Sequence, residues 1–206
     1  MVYRLTPGHT MKKRLLVALL FLSANAHAFS QPEITKLHAA INAEPSISAC
    51  VTAGDHGCIA AWFNTDSTFI VWKSHTNKDD VFDNVIWANF TPANPSSGAG
   101  QDATNWLMAC QGKALNLQTL LNANTISSSK ANVRAGIQDA TTNIPSGING
   151  ANKSGGWTAI QTVMQRSATY AEKNLATGTG TTGSPGLLTF EGTISVSDIP
   201  VILELP

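Results

Sequence analysis

The segment Thr68-Phe69-Ile70-Val71-Trp72 decides the fold class, because it is the clearest strand in a chain otherwise dominated by helical patterns. Every residue in it is β-branched or aromatic, which is the composition of a short buried strand. A second strand is predicted over 187–194, bent at Gly192. Pairing of the two strands would tie the middle of the chain to its end. The expected fold is α+β, predominantly helical with a small β-sheet, in a single domain.

Helical patterns surround the first strand on both sides. Ser30 and Glu33 have the S-x-x-E spacing of a capping box, which predicts the start of the first helix. The most regular apolar stripe predicts one continuous helix over 157–175, and the serines at 127–129 are expected to cap a helix that follows them. The predicted helices are 31–43, 47–51, 56–63, 102–121 and 157–175, and the helix that follows the serines runs through Val133, Ile137 and Ala140.

Residues 11–28, MKKRLLVALLFLSANAHA, have the organisation of a bacterial export signal. A cationic start precedes an apolar run over 15–22, and Ala26-His27-Ala28 supplies the small residues of a cleavage site. The run is much shorter than the about 20 apolar residues that span a bilayer, so no stable membrane anchor is expected. Residues 1–28 are therefore interpreted as a signal-peptide-like leader or an over-extended gene start, and residues 29–206 as one α+β domain.

The charge balance argues against a nucleic-acid partner. The whole chain is neutral, but residues 29–206 hold nine Lys or Arg against thirteen Asp or Glu, a net charge of −4. The nine basic residues are scattered and form no stripe that would follow a phosphate backbone.

The three cysteines leave two states open. In an exported chain, Cys50 and Cys58 are a candidate disulfide that closes a small loop between two helices, and Cys110 is a buried thiol. In the cytoplasm all three would be reduced. A metal site built from Cys50, His56 and Cys58 lacks a fourth ligand and a CxxC pair, so a disulfide or inert thiols are favoured and no metal is expected.

Two short motifs match catalytic or binding signatures without the context that those signatures need. Residues 178–183 read GxGxxG, but the loop follows a helix instead of opening one, so a helix stop and a glycine turn are expected and no nucleotide cofactor. Ser127 and Lys130 match SxxK, the nucleophile and base of penicillin-binding enzymes, but no KTG or SDN box accompanies them. A serine-rich helix cap explains the same residues.

Other candidate sites are weaker still. Asp79, Asp80 and Asp83 follow His75 without the spacing of a calcium loop, and no nucleophile elbow occurs. The tryptophans lie within apolar patterns and are expected in the core, with a sugar-binding platform as the alternative. They are Trp62, Trp72, Trp87, Trp106 and Trp157. No catalytic residue, cofactor-binding residue or metal ligand is predicted.

Several short motifs follow one another in a fixed order along the chain. They are Phe69-Ile-Val-Trp72-Lys73, Lys130-Ala-Asn-Val-Arg134-Ala-Gly-Ile137, Arg166-Ser-Ala-Thr-Tyr-Ala-Glu172-Lys173, Ala176-Thr-Gly-Thr-Gly180, Ser184-Pro185 and Phe190-Glu191-Gly192-Thr-Ile-Ser195. This ordered series resembles a family of small proteins encoded among the structural genes of tailed bacteriophages and prophages. The resemblance covers nearly all of residues 33–199, although members of that family begin near the first helix and have small residues at the positions of Cys50 and Cys58.

The resemblance implies a virion structural or assembly protein of the tail or head–tail region, not an enzyme. Its expected partners are other virion or assembly proteins, or further copies of itself, in a virion assembled in the host cytoplasm. The polar loops at 91–100 and 143–156 are candidate contact surfaces. The alternative, supported by the leader, is an exported binding module that is periplasmic or secreted. A remote alternative is an exported serine hydrolase that uses Ser127 and Lys130.

Overall fold

The computed structural model describes residues 29–91, 100–146 and 151–204, with the side chains of all but residues 100–103 and 106. The expected leader at 1–28 lies outside the described residues. So do most of the candidate contact loop at 91–100, part of the loop at 143–156, and the side chain of Trp106.

The described chain is an α+β domain, predominantly helical, with two small antiparallel sheets, which confirms the predicted fold class. The helices are α1 Gln31–Ala43, α2 Ser48–Thr52, α3 His56–Phe63, α4 Lys78–Phe82, α5 Gly100–Leu120, α6 Ala131–Thr141, α7 Trp157–Val163, α8 Tyr170–Leu175 and α9 Asp198–Leu203, with 3-10 turns at Pro45–Ile47 and Trp87–Phe90. The strands are β1 Asp66–Trp72, β2 Thr76–Asn77, β3 Thr125–Ile126 and β4 Gln165–Thr169.

The capping box predicted at the start of α1 is present. The Glu33 carboxylate accepts a hydrogen bond from the Ser30 backbone N–H at 2.8 Å, and this pairing fixes the first turn. Among the described residues, no helix combines the length and the apolar character needed to cross a bilayer.

Two hydrophobic cores lie within the domain. The first core gathers the terminal helices α1–α3, α8 and α9, and the second gathers the helices from α4 to α7. The fully buried members of the first core include Leu37, Ile59, Phe63, Ala171, Leu175, Ile199 and Ile202. Those of the second core include Val81, Cys110, Leu117, Ile137, Ile144, Ile160 and Met164.

Strands β1 and β4 carry the chain between these cores. β1 leaves the first core after Phe63 and delivers Trp72 into the second, and β4 returns from Met164 to Ala171. The two strands are antiparallel, with Cα partners Asp66↔Thr169, Ile70↔Ser167, Val71↔Arg166 and Trp72↔Gln165, and an irregularity between Asp66 and Ile70. The predicted central strand is confirmed.

The predicted helix over 157–175 is wrong. The chain forms α7, then β4, then α8, so a strand interrupts the apolar stripe. The stripe serves two cores, because Ile160 and Met164 belong to the second core while Ala171 and Leu175 belong to the first. One straight helix would not reach both, and pairing with β1 holds the segment between them extended.

The predicted strand over 187–194 is also wrong. This segment makes only an antiparallel bridge between Leu187 and Thr177, and the preceding Gly186 bridges Val71 in parallel. Near its end, the Asn64 side chain takes the place of a strand partner. Its Nδ2 donates to the Ile194 carbonyl at 2.9 Å, and its Oδ1 accepts from the Ile194 N–H at 2.8 Å. The predicted pairing partner of the central strand is therefore replaced by β4.

Candidate functional site

The structure joins Cys50 and Cys58 by a disulfide bond between α2 and α3, with Cα atoms 6.0 Å apart. Asp55, between them, caps α3 by accepting from the Cys58 N–H at 2.9 Å. Both sulfur atoms are used in this bond, and the described residues contain no group of three or more potential metal ligands. Cys110 is a buried free thiol, and burial raises its pKa.

The SxxK match forms a turn before α6. The Lys130 N–H donates to the Ser127 carbonyl at 3.1 Å. The predicted serine cap is wrong, because Lys130 itself occupies the N-cap position and no side chain caps the helix there. The Ser128 hydroxyl is instead buried against the Thr76 hydroxyl, and Arg134 donates to the Ser128 and Ser129 carbonyls at 2.8 and 2.7 Å.

The glycines of the GxGxxG match adopt turn conformations, as predicted. Gly178 and Gly180 have φ of +100° and +66°, in the left-handed region that favours glycine. The loop wraps around β1, where Ile70 N–H donates to the Gly180 carbonyl at 2.8 Å. The glycines therefore let the backbone lie close to the strand.

The tryptophans occupy core or core-edge positions where their side chains are described. Trp72 is buried in the second core, with the Arg134 guanidinium 4.3 Å from its ring centroid. Trp62 is half-buried and stacks on Tyr170 at a ring-centroid distance of 4.9 Å. Trp87 and Trp157 are partly buried against the second core.

Arg166, Glu172 and Glu191 form a charged cluster, which the Ser74 hydroxyl joins through Glu191. Arg166 binds Glu172 through two hydrogen bonds, Nη1 to Oε2 at 2.6 Å and Nη2 to Oε1 at 2.7 Å. Its Nη2 also reaches Glu191 Oε1 at 3.1 Å, and the Ser74 hydroxyl donates to the other oxygen of Glu191. Sequence reasoning missed this cluster, although Thr169 and Glu172 have the spacing of a capping box, which the structure shows.

The charged cluster consists of ion pairs that connect neighbouring segments of the chain. Glu172 is 3% exposed, and burial alone would raise its pKa, but hydrogen bonds from Arg166 and from the Thr169 and Gly192 amides hold the pKa below its usual value. The hydrogen bond to Glu172 raises the pKa of Arg166. A general acid needs a raised carboxyl pKa, whereas Glu172 is held ionised. The hydrogen bonds of Arg166 to Glu172 and Glu191 connect β4 and α8 to the segment at 191–192.

An aromatic patch on the surface, formed by Phe82, Ile86 and Trp87, is the strongest candidate for a contact site. Phe82 and Ile86 are 47% and 46% exposed, although both are large and apolar. The rings of Phe82 and Trp87 lie 4.6 Å apart, and Trp87 Nε1–H donates to the Phe82 carbonyl at 3.1 Å. Trp87 also contacts Phe90 of the second core. The patch is therefore fixed to the core and open to solvent.

The end of the polar loop at 143–156 supports the aromatic patch. Ile86 N–H donates to the Gly155 carbonyl at 2.9 Å, and Asn89 Nδ2 donates to the Ser154 carbonyl at 2.7 Å. At Gly156, a Cβ atom would lie 2.3 Å from the Asn84 carbonyl oxygen, so only glycine permits this approach. The described part of one predicted contact loop thus lies against the patch.

No family model, curated protein or solved structure matches this chain. The candidate site is defined by the geometry alone: the aromatic patch, the loop end at 154–156, and a rim of exposed carboxylates from α4 at Asp79 and Asp80, with Asp83 just beyond it.

Proposed function

We propose that this chain is a structural or assembly protein of a phage or prophage virion, in the tail or head–tail region, and that it acts by contacting other proteins. The exposed aromatic patch carries the proposal. The ordered motifs between Phe69 and Ser195, which resemble the phage structural family, support the assignment to a virion.

The aromatic patch has the properties of a preorganised contact surface. Aromatic residues are enriched at the centres of protein interfaces. The hydrogen bond from Trp87 to Phe82 and the support from Gly155 hold the patch in one arrangement, so little ordering is needed on binding. Burial of the exposed half of Phe82 and of Ile86 by a partner would contribute about 1 kcal/mol each to the free energy of binding.

The charges around the aromatic patch indicate the partner's character. Asp79, Asp80 and Asp83 are exposed on and next to the helix that carries Phe82. A partner with an apolar recess bordered by Lys or Arg would complement this rim, and the contact would weaken as salt is added.

The test is mass spectrometry of purified particles from a strain that carries the gene in its native setting. We expect peptides of this chain in the particles at a fixed copy number relative to the major capsid protein, with the first residue of the chain determined in the same experiment. Absence of the chain from intact particles and from assembly intermediates would refute the proposal.

One observation favours a second candidate, an exported binding module. The Cys50–Cys58 disulfide is a bond that persists in oxidising compartments and is rare in the cytoplasm. This candidate predicts a periplasmic or secreted chain that begins at Phe29 and has one free thiol, at Cys110. N-terminal sequencing and thiol counting on fractionated cells test it, and a cytoplasmic chain with three free thiols would exclude it.

A further inference from the structure

Helix α5, with 21 residues, has one face in the second core and an opposite face whose described residues are mostly exposed. Cys110 and Leu117 are fully buried on the inner face. At 100° per residue, positions 108, 112, 115 and 119 form the ridge that points away from that core. On this ridge Met108 and Leu115 are 64% and 63% exposed, more than any other large apolar side chain in the described chain.

The outer half of α5 carries no charged side chain in its described part. Lys113 lies at the side of the helix, 3.5 Å from Asp139 of α6. Solvated helix faces are normally rich in charged residues, so a neutral face with two exposed apolar side chains is unusual for a surface in contact with water. The ridge consists of Met108, Gly112, Leu115 and Thr119, with Gln111 and Asn116 beside it.

Gly112 lies at the centre of the ridge. Only proline is less favourable than glycine inside a helix. Apart from its chain neighbours and the backbone of α5 itself, no atom of the described chain lies within 4 Å of the place where a Cβ of this residue would be, so packing against other elements does not require glycine here. The absence of a side chain leaves room for the backbone of another helix.

We propose that the ridge of α5 docks on the ridge of a second copy of this chain, with the two helices antiparallel and a two-fold axis beside Gly112. That axis places Met108 of each copy against Leu115 of the other, because the two residues lie four and three positions from Gly112. Such self-complementary spacing is what an isologous contact requires.

The charge pattern fits a second copy better than a charged partner. A neutral ridge meets an identical ridge without like-charge repulsion, and it offers nothing to attract a charged partner. A single helix pair buries less than the about 1,600 Å² of a standard interface, so the isolated dimer is weak. This contact between two α5 helices does not depend on whether the chain is a virion protein.

Sedimentation equilibrium of the full 206-residue chain tests this proposal. The mass should rise from 21.7 kDa toward twice that value as the concentration increases from about 5 to about 500 μM, the range in which a weak dimer forms. Leu115→Asp should lower the association constant about tenfold or more, since it places two charges in the contact. Gly112→Leu, whose Cβ would enter open space in the monomer, should lower it similarly while the helix stays intact.

Val201→Asp is the matched control, because Val201 is a 54% exposed apolar residue on α9 and its replacement should leave association unchanged. Circular dichroism at low concentration verifies that each variant is folded. A parent chain that stays monomeric throughout the range would overturn the proposal. So would a dimer that Leu115→Asp and Gly112→Leu leave as strong as the parent's.

Discussion

Phe69 occupies the space that a side chain at Gly180 would need. A Cβ atom on Gly180 would lie 2.1 Å from Cδ2 of the Phe69 ring, and Gly186 faces the same ring from the next part of the loop. The glycine-rich loop therefore folds around a side chain of the central strand. Of the three glycines in the nucleotide-binding pattern, Gly180 is the one that this contact with Phe69 requires.

Gly180→Ala should destabilise the fold by roughly 2–4 kcal/mol, because it adds a steric overlap to a residue with φ of +66°. Gly183→Ala, in the same loop, should change stability by less than about 0.5 kcal/mol, since no atom apart from its chain neighbours lies within 4 Å of its Cβ position. Urea unfolding of both variants measures the difference. Equal stability of the two would contradict the packing of the loop against Phe69.

Glu172→Gln should lower the free energy of unfolding at pH 7 by about 1–3 kcal/mol, because Arg166 loses its buried ionised partner and retains only Glu191. The exposed Glu204→Gln is the control and should have no measurable effect. The comparison is made by denaturant unfolding under identical salt conditions.

Stability should also depend on pH through Glu172. Its pKa in the folded protein lies below that of a carboxyl in the unfolded chain, about 4.3. The stabilisation is therefore fully present above that unfolded value and is lost as the pH falls through the folded pKa. The parent should lose more stability than Glu172→Gln between pH 5 and the acid limit of folding, and parallel curves would show that the ion pair does not form.

The disulfide should stabilise the domain by about 2–3 kcal/mol, the value for a loop that joins cysteines eight positions apart. The Cys50→Ala/Cys58→Ala double variant should lose this amount in thermal or urea unfolding. Adding a reductant should destabilise the parent and leave the double variant unchanged, since Cys110 is already a free thiol. A parent that does not respond to the reductant, and that contains three reactive thiols when unfolded, would show that the bond is absent.

Two helix glycines should respond differently to alanine. Gly112→Ala should stabilise the monomer by about 0.5–1 kcal/mol, because the new methyl group enters open space and alanine favours the helix. Gly136→Ala in α6 should gain less, since its Cβ would lie 3.3 Å from Leu120 Cδ1. Thermal unfolding at low concentration compares them, and a loss of stability in Gly112→Ala would mean that this position is already filled.

The sequence predicted correctly those elements that depend on residues close to one another in the chain. The capping box at Ser30, the third helix over 56–63 and the strand at Thr68–Trp72 all depend on residues close in sequence, and all three are confirmed. The stripe over 157–175 misled because its apolar residues fill two different cores, and periodicity alone does not distinguish one core from two. The Thr169–Glu172 capping box was the local signal for a new helix start.

The candidate site was less accessible from sequence. Exposure of Phe82 and Ile86 depends on how α4 lies over the second core, and the 3.1 Å bond from Trp87 to the Phe82 carbonyl depends on a turn between them. The sequence did point to the polar loop at 143–156, whose end supports the patch. It gave no sign that Arg166 and Glu191, 25 residues apart, meet at one guanidinium.

The copy number of this chain in purified particles, measured for a variant of the aromatic patch, tests the proposed function most directly. Phe82→Ser/Ile86→Ser should remain folded and be depleted from particles. The control Val196→Ser/Val201→Ser, which replaces equally exposed apolar residues elsewhere, should be incorporated like the parent. Incorporation of the patch variant at the parental copy number would contradict the proposal that this surface makes the contact.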